Sequence, residues 1–435
     1  MEVSIMSIKK INVVTLGCSK NLVDSEHLLR QFEANGLEVS HDSDEPADAV
    51  IINTCGFILD AKEESISTIM DYITAKERGD IEKIYVMGCL SARYKDDLVK
   101  EIPEVDRFFG KFDFDEILKE LNIQKRKDLL FDRHLTTPSH FAYLKIAEGC
   151  NRTCAFCAIP QFTGNYVSVP MESLIDEAEK LAQKGVKELL LIAQDLSFYG
   201  YDLYKKSALA ELVNRLSAID GIEWIRLHYA YPNKFPTDVL TVMRENPKVC
   251  KYLDIPVQHC SDNILARMRR NTTADETRAL ITHIRQEVPG IALRTTLLVG
   301  FPGETEDDFK QLTAFVKEMK FDRLGVFPYS HEDDTYAFTQ YTDDIPQEIK
   351  QERADEIMEI QQSISESLMQ QKVGQTINVL IDREEDEHYV GRTEWDSPEV
   401  DGEVLVPVSA QLEIGQFYKV KINSAFMFDL YGDVI

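Results

Sequence analysis

The chain has 435 residues, 44% of them hydrophobic, which is enough for roughly three globular domains. No stretch approaches the roughly 18 consecutive apolar residues of a membrane-spanning helix, and Met1–Lys10 lacks the apolar segment of a secretory signal. We therefore expect a cytoplasmic protein with no membrane partner.

The formal net charge is −27. A protein whose main partner is a phosphate backbone usually presents a basic face, so this charge argues against direct nucleic-acid binding. Two interpretations remain: an acidic surface that serves solubility alone, and an acidic surface that attracts a basic partner.

Residues 1–134 predict an α/β domain built on a parallel sheet. Apolar, β-branched runs end at residues 16, 54 and 88, and a helical segment follows each of them. A fourth strand is expected within 106–110, followed by a fourth helix. Alternating strands and helices favour a parallel sheet. The charged, aperiodic segment 125–140 predicts a linker.

Residues 135–367 repeat the alternation and predict a core of six (β/α) units, a barrel that is either complete or open. The expected strands lie near 143–148, 188–194, 223–229, 251–257, 291–299 and 322–328. The ligand site of such a barrel lies at the carboxyl ends of its strands. A helical stretch over 347–371 leads into residues 368–435, where short strands predict a small five-stranded all-β barrel.

Three cysteines follow the first barrel strand, at the spacing C-x3-C-x2-C: Cys150, Cys154 and Cys157. Thiolates suit iron–sulfur clusters or zinc, but a structural zinc site wants four ligands and no further Cys or His follows closely. Three ligands can hold a 4Fe–4S cluster and leave one iron open. S-adenosylmethionine (SAM) can bind there and be cleaved to a radical.

The cysteine spacing is that of the radical-SAM superfamily, and this resemblance implies further SAM contacts. Gln194 ends the second barrel strand, where the superfamily places a residue for the SAM amino group. A glycine turn lets backbone approach a ligand closely, and one follows the fifth strand. The alternative for each position is an ordinary strand-to-helix loop. The candidate contacts are Phe156, Gln194, Gln258, Arg294, Gly300 and Glu304.

Cys18, Cys55 and Cys89 are far apart in sequence, but each ends an apolar strand and each touches a glycine. A lone cysteine is most often a small buried residue. If the three strands are parallel neighbours, however, the three thiolates leave the same sheet edge. The pattern therefore predicts a second three-cysteine 4Fe–4S site. Cys250 and Cys260 fit neither set and are interpreted as structural thiols.

Together these motifs resemble the methylthiotransferase family. LGCSKNLVDSE, INTCGFI and MGCL are similar to its N-terminal cluster domain, EGCNRTCAFCAIP to its radical-SAM loop, and the C-terminal strands to its TRAM domain. The resemblance covers essentially the whole chain. It implies two 4Fe–4S clusters and two SAM molecules that replace a C–H bond by C–S–CH3, with an electron donor as a further partner.

Within that family, CSKNLVDSE and YVGRTEWDSPEVDGEV resemble the branch that modifies the β-carbon of an aspartate in the small-subunit ribosomal protein numbered twelve. That basic protein, free or in the assembled ribosomal subunit, is the implied partner. The alternative is a tRNA adenosine methylthiotransferase of the MiaB type. Five basic against thirteen acidic residues give 368–435 a net charge of −8, which disfavours tRNA. A non-catalytic iron–sulfur carrier is a third hypothesis.

Two acidic runs in the C-terminal barrel predict a protein-recognition surface, with Trp395 as an apolar anchor. The alternative is a solvated cap. The runs are Asp382, Glu384, Glu385, Asp386 and Glu387, and Glu394, Asp396, Glu399 and Asp401.

Overall fold

The structure, a computed structural model, describes residues 8–435. Residues 1–7, most of the stretch considered for a secretory signal, lie outside this part. Within residues 8–435, no helix combines the length and apolar character needed to cross a bilayer. The chain divides into two units: the first holds the residues up to 137 with 148–151 and 158–166, the second holds 138–147, 152–157 and 167–435. The domain boundaries expected after residues 134 and 367 stay predictions.

A five-stranded, fully parallel sheet forms the centre of the first unit, in the order β2-β1-β3-β4-β5. All six residues of β3 are buried, as expected for a strand covered on both faces. The edge strand β2 was not predicted, because its sequence EVSH has no apolar run. The strands are β1 (Lys10–Thr15), β2 (Glu38–His41), β3 (Ala49–Thr54), β4 (Lys83–Gly88) and β5 (Arg107–Phe108).

Helices cover both faces of this sheet. Ile69 and Ile73 of α2 pack on one face, and Leu28 and Phe32 of α1 on the other. The predicted linker contains a short 3-10 turn, Lys127–Leu129. The helices are α1 (Ser19–Ala34), α2 (Leu59–Arg78), α3 (Cys89–Glu101) and α4 (Phe114–Glu120).

The six predicted barrel strands are confirmed as one parallel sheet, in the order β13-β12-β11-β10-β9-β6. Because β6 and β13 are the two edges, the barrel is open. The strands of this region are β6 (Phe141–Lys145), β7 (Ala147–Glu148), β8 (Val167–Ser168), β9 (Glu188–Ile192), β10 (Trp224–Leu227), β11 (Val249–Asp254), β12 (Ala292–Val299) and β13 (Arg323–Pro328). The helices are α5 (Ile159–Thr163), α6 (Met171–Gln183), α7 (Tyr201–Tyr204), α8 (Leu209–Ser217), α9 (Asp238–Glu245), α10 (Asp262–Arg267), α11 (Ala274–Glu287), α12 (Glu306–Met319), α13 (Tyr336–Gln340) and α14 (Gln347–Gln370).

The C-terminal strands close into the predicted five-stranded barrel, in the order β14-β15-β16-β18-β17. Alternate residues such as Ile377, Val379 and Ile381 point into its core. The strands are β14 (Thr376–Glu385), β15 (His388–Arg392), β16 (Val404–Pro407), β17 (Phe417–Phe426) and β18 (Asp429–Val434).

Buried ion pairs join this small barrel to the amino-terminal ends of the open barrel's strands. Glu188 is fully buried and lies 2.7 Å from Nε of Arg226 and 2.8 Å from Nη2 of Arg392. Arg392 also contacts Asp382, at 2.6 Å. Burial alone would raise the pKa of Glu188, but Arg392 and Arg226 lower it overall. The two guanidinium groups therefore keep a buried carboxylate ionised.

The predicted recognition loop is largely buried in the same junction. Asp396 pairs with Arg323, and the Asp401 carboxylate accepts from the Tyr252 hydroxyl at 2.8 Å. Trp395 is partly buried and lies under the Lys372 ammonium, 3.4 Å from the ring centroid. Asp382 is likewise buried against Arg392 and His140. The expectation of an exposed surface is therefore wrong for Asp382, Asp396 and Asp401, whose side chains are buried against arginines, whereas Glu399 is exposed. The turn Glu384–Glu387 is exposed.

Replacing Arg392 by Met removes the cation that the buried carboxylates of Glu188 and Asp382 share. We expect the free energy of unfolding to fall by about 3–5 kcal/mol, as for other broken buried pairs. Arg383→Met, which removes a half-exposed arginine of β14, should cost about 0–1 kcal/mol. Denaturant unfolding of both variants checks this, and equal losses would contradict it.

Candidate cofactor sites

Three cysteines lie at one edge of the parallel sheet in the first unit. Cys18 and Cys55 follow the neighbouring strands β1 and β3, and Cys89 follows β4 as the first residue of α3. A Cβ added to Gly17 would lie 2.6 Å from Cβ of Cys55, and one added to Gly56 would lie 2.7 Å from Cα of Leu90. The glycines of LGC and TCG therefore allow the strand-end loops to approach each other closely.

The three thiols differ in electrostatic environment. Burial raises the pKa of Cys55 and raises that of Cys89 to about 12. Burial also opposes ionisation of Cys18, but Lys20, Lys111 and the first amides of α1 together lower its pKa. Metal binding would have to displace protons from Cys55 and Cys89, as thiolate coordination generally does.

Within residues 8–435, no three His, Cys, Asp or Glu side chains converge to hold a single metal ion. A 4Fe–4S cluster needs a different arrangement of ligands. Each of three iron atoms binds one thiolate, so the three cysteine sulfurs must be spaced around the cluster and need not converge on one point. Three free thiols from three adjacent strand ends are a donor set of the right kind and number for that cluster. The assignment of Cys18, Cys55 and Cys89 as its ligands stays a prediction.

Lys111, a buried lysine beside this edge, was not predicted from the sequence. Its Nζ lies 3.8 Å from Sγ of Cys89 and 3.3 Å from Oε1 of Glu148. Burial alone would lower its pKa, but Cys89, Asp24 and Glu148 raise it overall. Its position in the sequence could have indicated its role, because Lys111 follows β5 just as the three cysteines follow β1, β3 and β4.

The second cysteine set, Cys150, Cys154 and Cys157, lies on one loop of eight residues, and none of the three forms a disulfide. Backbone hydrogen bonds from Ala155 N–H to Met268 O (2.9 Å) and from Ala337 N–H to Ala155 O (2.8 Å) fix part of this loop. Phe156 packs beside Ala155 against an apolar cluster. The donor set again fits a cluster with three protein ligands.

Cys154 contacts a cation and a tyrosine that were not predicted from the sequence. Its Sγ lies 3.4 Å from Nη1 of Arg270 and 3.8 Å from the hydroxyl of Tyr231. The Tyr231 ring lies between two guanidinium groups, 4.1 Å from Arg152 and 4.2 Å from Arg270. These residues lie outside strands in sequence and carried no periodic signal.

Gln194 and Gln258 lie where they were expected, just after β9 and β11, and both are partly exposed. Gln258 has φ +71°, which is unusual for a residue with a Cβ. Its N–H donates to Thr296 O, and its carbonyl accepts from Leu298 N–H, both at 2.8 Å. Strained backbone held by neighbours is often found at functional sites. Both residues remain candidate SAM contacts.

Arg294, Gly300 and Glu304 have structural partners instead. Arg294 lies 3.5 Å from carboxylate oxygens of Asp254 and Asp401. A Cβ on Gly300 would lie 2.2 Å from Cγ of Lys350, so this glycine serves helix packing.

The Glu304 side chain is fully buried and accepts from Gly300 N–H at 2.7 Å. It also pairs with Arg353 at 2.9 Å. The carboxylate is occupied by the protein itself, so the geometry gives no support for its direct contact with SAM.

Three family models match the chain: Uncharacterized protein family UPF0004 over residues 10–110, the Radical SAM superfamily over 144–316, and the TRAM domain over 373–435. Among solved structures, the radical SAM methyltransferase TsrM from Kitasatospora setae matches with a TM-score of 0.55 at 13% identity, over 73% of this chain and 72% of that chain. The cobalamin-dependent radical enzyme OxsB matches with a TM-score of 0.51 at 14% identity, over 81% of this chain and 56% of that chain. These two likenesses concern the fold alone.

Curated relatives are much closer in sequence. The ribosomal protein uS12 methylthiotransferase RimO of Bacteroides thetaiotaomicron is 56% identical, over 99% of this chain and 99% of the relative. The protein of the same name from Christiangramia forsetii is 56% identical, over 98% of this chain and 95% of the relative. The chain therefore belongs to the RimO family of ribosomal protein uS12 methylthiotransferases, within the radical SAM superfamily.

Proposed function

We propose that this chain replaces a C–H bond by C–S–CH3 at the β-carbon of an aspartate of ribosomal protein uS12, with two 4Fe–4S clusters and two molecules of SAM. The proposal rests on one observation: this member of the RimO family contains two separate sets of three cysteines that form no disulfide. Methylthiolation needs both a radical that removes hydrogen and a source of sulfur, and two sets of ligands can serve the two needs separately.

Cys150, Cys154 and Cys157 would hold the cluster at which SAM binds, and Cys18, Cys55 and Cys89 the cluster that handles sulfur. When bound, the first cluster and SAM supply a carbon radical, and the second cluster supplies the open iron for sulfur. Gln194 and Gln258 would orient SAM from the strand ends. Arg270 and Tyr231 would hold Cys154 in a water-poor setting, since both side chains are buried.

The substrate assignment rests on the RimO relatives, which are named for uS12, and on charge. A chain with a net charge of −27 repels phosphate, which disfavours the tRNA alternative. The exposed acidic turn Glu384–Glu387 is suited to a Lys/Arg-rich ribosomal protein, free or within the assembled subunit. An external electron donor must reduce the radical-generating cluster.

The function is tested with purified enzyme, SAM, a reductant, and uS12 or tRNA as substrate. We expect uS12 to gain one CH2S unit by mass spectrometry and tRNA to remain unmodified. Cys89→Ala should abolish this gain but spare 5′-deoxyadenosine formation, and Cys154→Ala should abolish both, because the two sites have different roles. Cys250→Ala, which removes a buried cysteine outside both sets, should retain both activities. Loss of SAM cleavage in a folded Cys89→Ala variant would reverse the role assignment.

The cluster count gives an independent test. Two cubane clusters imply about eight irons per chain after anaerobic reconstitution. Changing all three cysteines of either set to Ala should leave about four irons, as measured by iron analysis and absorbance. A parent chain that never exceeds about four irons, or a triple variant that keeps about eight, would refute the two-site assignment.

Charge reversal tests the exposed turn. Changing the four acidic residues of Glu384–Glu387 to Lys should weaken uS12 binding and reduce its salt dependence, because screened surface charges act over about 8 Å at physiological ionic strength. SAM cleavage without substrate should stay unchanged. The matched control reverses four exposed acidic residues of α14: Glu352, Asp355, Glu356 and Glu359. Equal loss of uS12 affinity in both variants would show that only total charge matters.

A further inference from the structure

The sheet edge that carries the three N-terminal cysteines also carries a residue from a fourth strand. Strands β1, β3 and β4 are followed by Cys18, Cys55 and Cys89, and β5, next to β4, is followed by Lys111. Parallel strands deliver the residues after them to the same edge, so the sheet presents three thiols and one ammonium there. A fourth cysteine at this position would have offered a fourth thiolate to a cluster.

The position of the Lys111 side chain is fixed by burial and by its contacts. Its side chain is only 3% exposed, and its Nζ lies between Sγ of Cys89 (3.8 Å) and Oε1 of Glu148 (3.3 Å). The turn that carries it is fixed by Gly110 N–H, which donates to Asp113 at 2.6 Å. A buried ammonium has three donors, and the negative charges of Glu148 and Asp24 offset its lost hydration. Neither carboxylate requires the ammonium to lie against the Cys89 sulfur, and this contact places it beside the three thiols.

We propose that the Lys111 ammonium stabilises an anionic sulfur species, such as hydrosulfide or methanethiolate, bound at the N-terminal three-cysteine cluster. The inference rests on the proposed function, because it assumes a cluster at Cys18, Cys55 and Cys89. Three thiolates already bring negative charge to a buried edge, and a further anion there needs a nearby cation. The ammonium supplies that charge without occupying an iron, because it has no lone pair to donate. Lys111 is thus a residue that selects anionic over neutral ligands.

The test uses the full chain with Cys150, Cys154 and Cys157 changed to Ala, reconstituted so that only the N-terminal cluster is present. Methanethiolate is titrated into this protein, and binding is followed by the EPR spectrum of the reduced cluster. Lys111→Met should weaken the affinity at least about tenfold, and Lys111→Arg should restore it to within a few-fold, because the charge is retained. Lys100→Met, which removes an exposed lysine of α3 paired with Asp97, is the matched control and should change nothing.

Glu148→Gln separates this role from a structural one. If Lys111 and Glu148 only stabilise the fold, losing either partner should impair the cluster in the same direction. If the ammonium serves the sulfur ligand, removing the Glu148 charge should tighten methanethiolate binding, opposite to Lys111→Met. This variant keeps Lys111, so it decides the question even where Lys111→Met takes up no cluster.

The outcomes are distinguishable. A triple-alanine chain that takes up no cluster contradicts the proposed function itself. A chain that takes up the cluster but binds methanethiolate equally well in the parent, Lys111→Met and Glu148→Gln forms overturns the role of Lys111 alone.

Discussion

Neighbouring parallel strands run in the same direction, so the residues that follow them collect along one edge of the sheet. In the first unit this constraint brings Cys18, Cys55 and Cys89 together from positions that span more than seventy residues of sequence. In the second unit it aligns Gln194 and Gln258 after strands of the open barrel. Close approach of the loops then depends on glycines, as Gly17 against Cys55 illustrates.

The part of this arrangement that could be predicted from the sequence is the part set by buried strands and the residues after them. The strand AVIINT begins with four apolar residues because helices cover both faces of the sheet, and it could be identified without a structure. Strand β2 could not, since its polar EVSH pairs only at the edge. The cysteines could be recognised because each follows an apolar run. Arg270 and Lys111 could not be assigned, because a basic residue in a loop is ordinarily solvated and only tertiary contacts reveal otherwise.

Pairing between charges is what the sequence does not show. Asp401 was assigned to an exposed partner surface because charged residues are usually exposed, and Glu304 to SAM because it follows a glycine turn at a strand end. Each meets an arginine inside the protein: Arg353 with Glu304 at 2.9 Å and Arg294 with Asp401 at 3.5 Å. Sequence shows the number of charges but not their pairing. The net charge of −8 in residues 368–435 therefore overstates the acidity of the surface, because Arg323 and Arg294, which lie outside this range, pair with Asp396 and Asp401.

Cations recur at both cysteine sets, in chemically different forms. At Cys89 the cation is a lysine, a compact charge that lies against Glu148 and is also stabilised by the charge of Asp24. At Cys154 it is Arg270, whose guanidinium also donates to Pro256 O at 2.5 Å and stacks on Tyr231. A planar group fixed by three partners holds its thiolate rigidly, which suits a site whose ligand must be oriented for cleavage. The Lys111 ammonium is instead a point charge, which can stabilise a neighbouring anion without fixing its orientation. The choice between lysine and arginine thus corresponds to the different tasks proposed for the two sites.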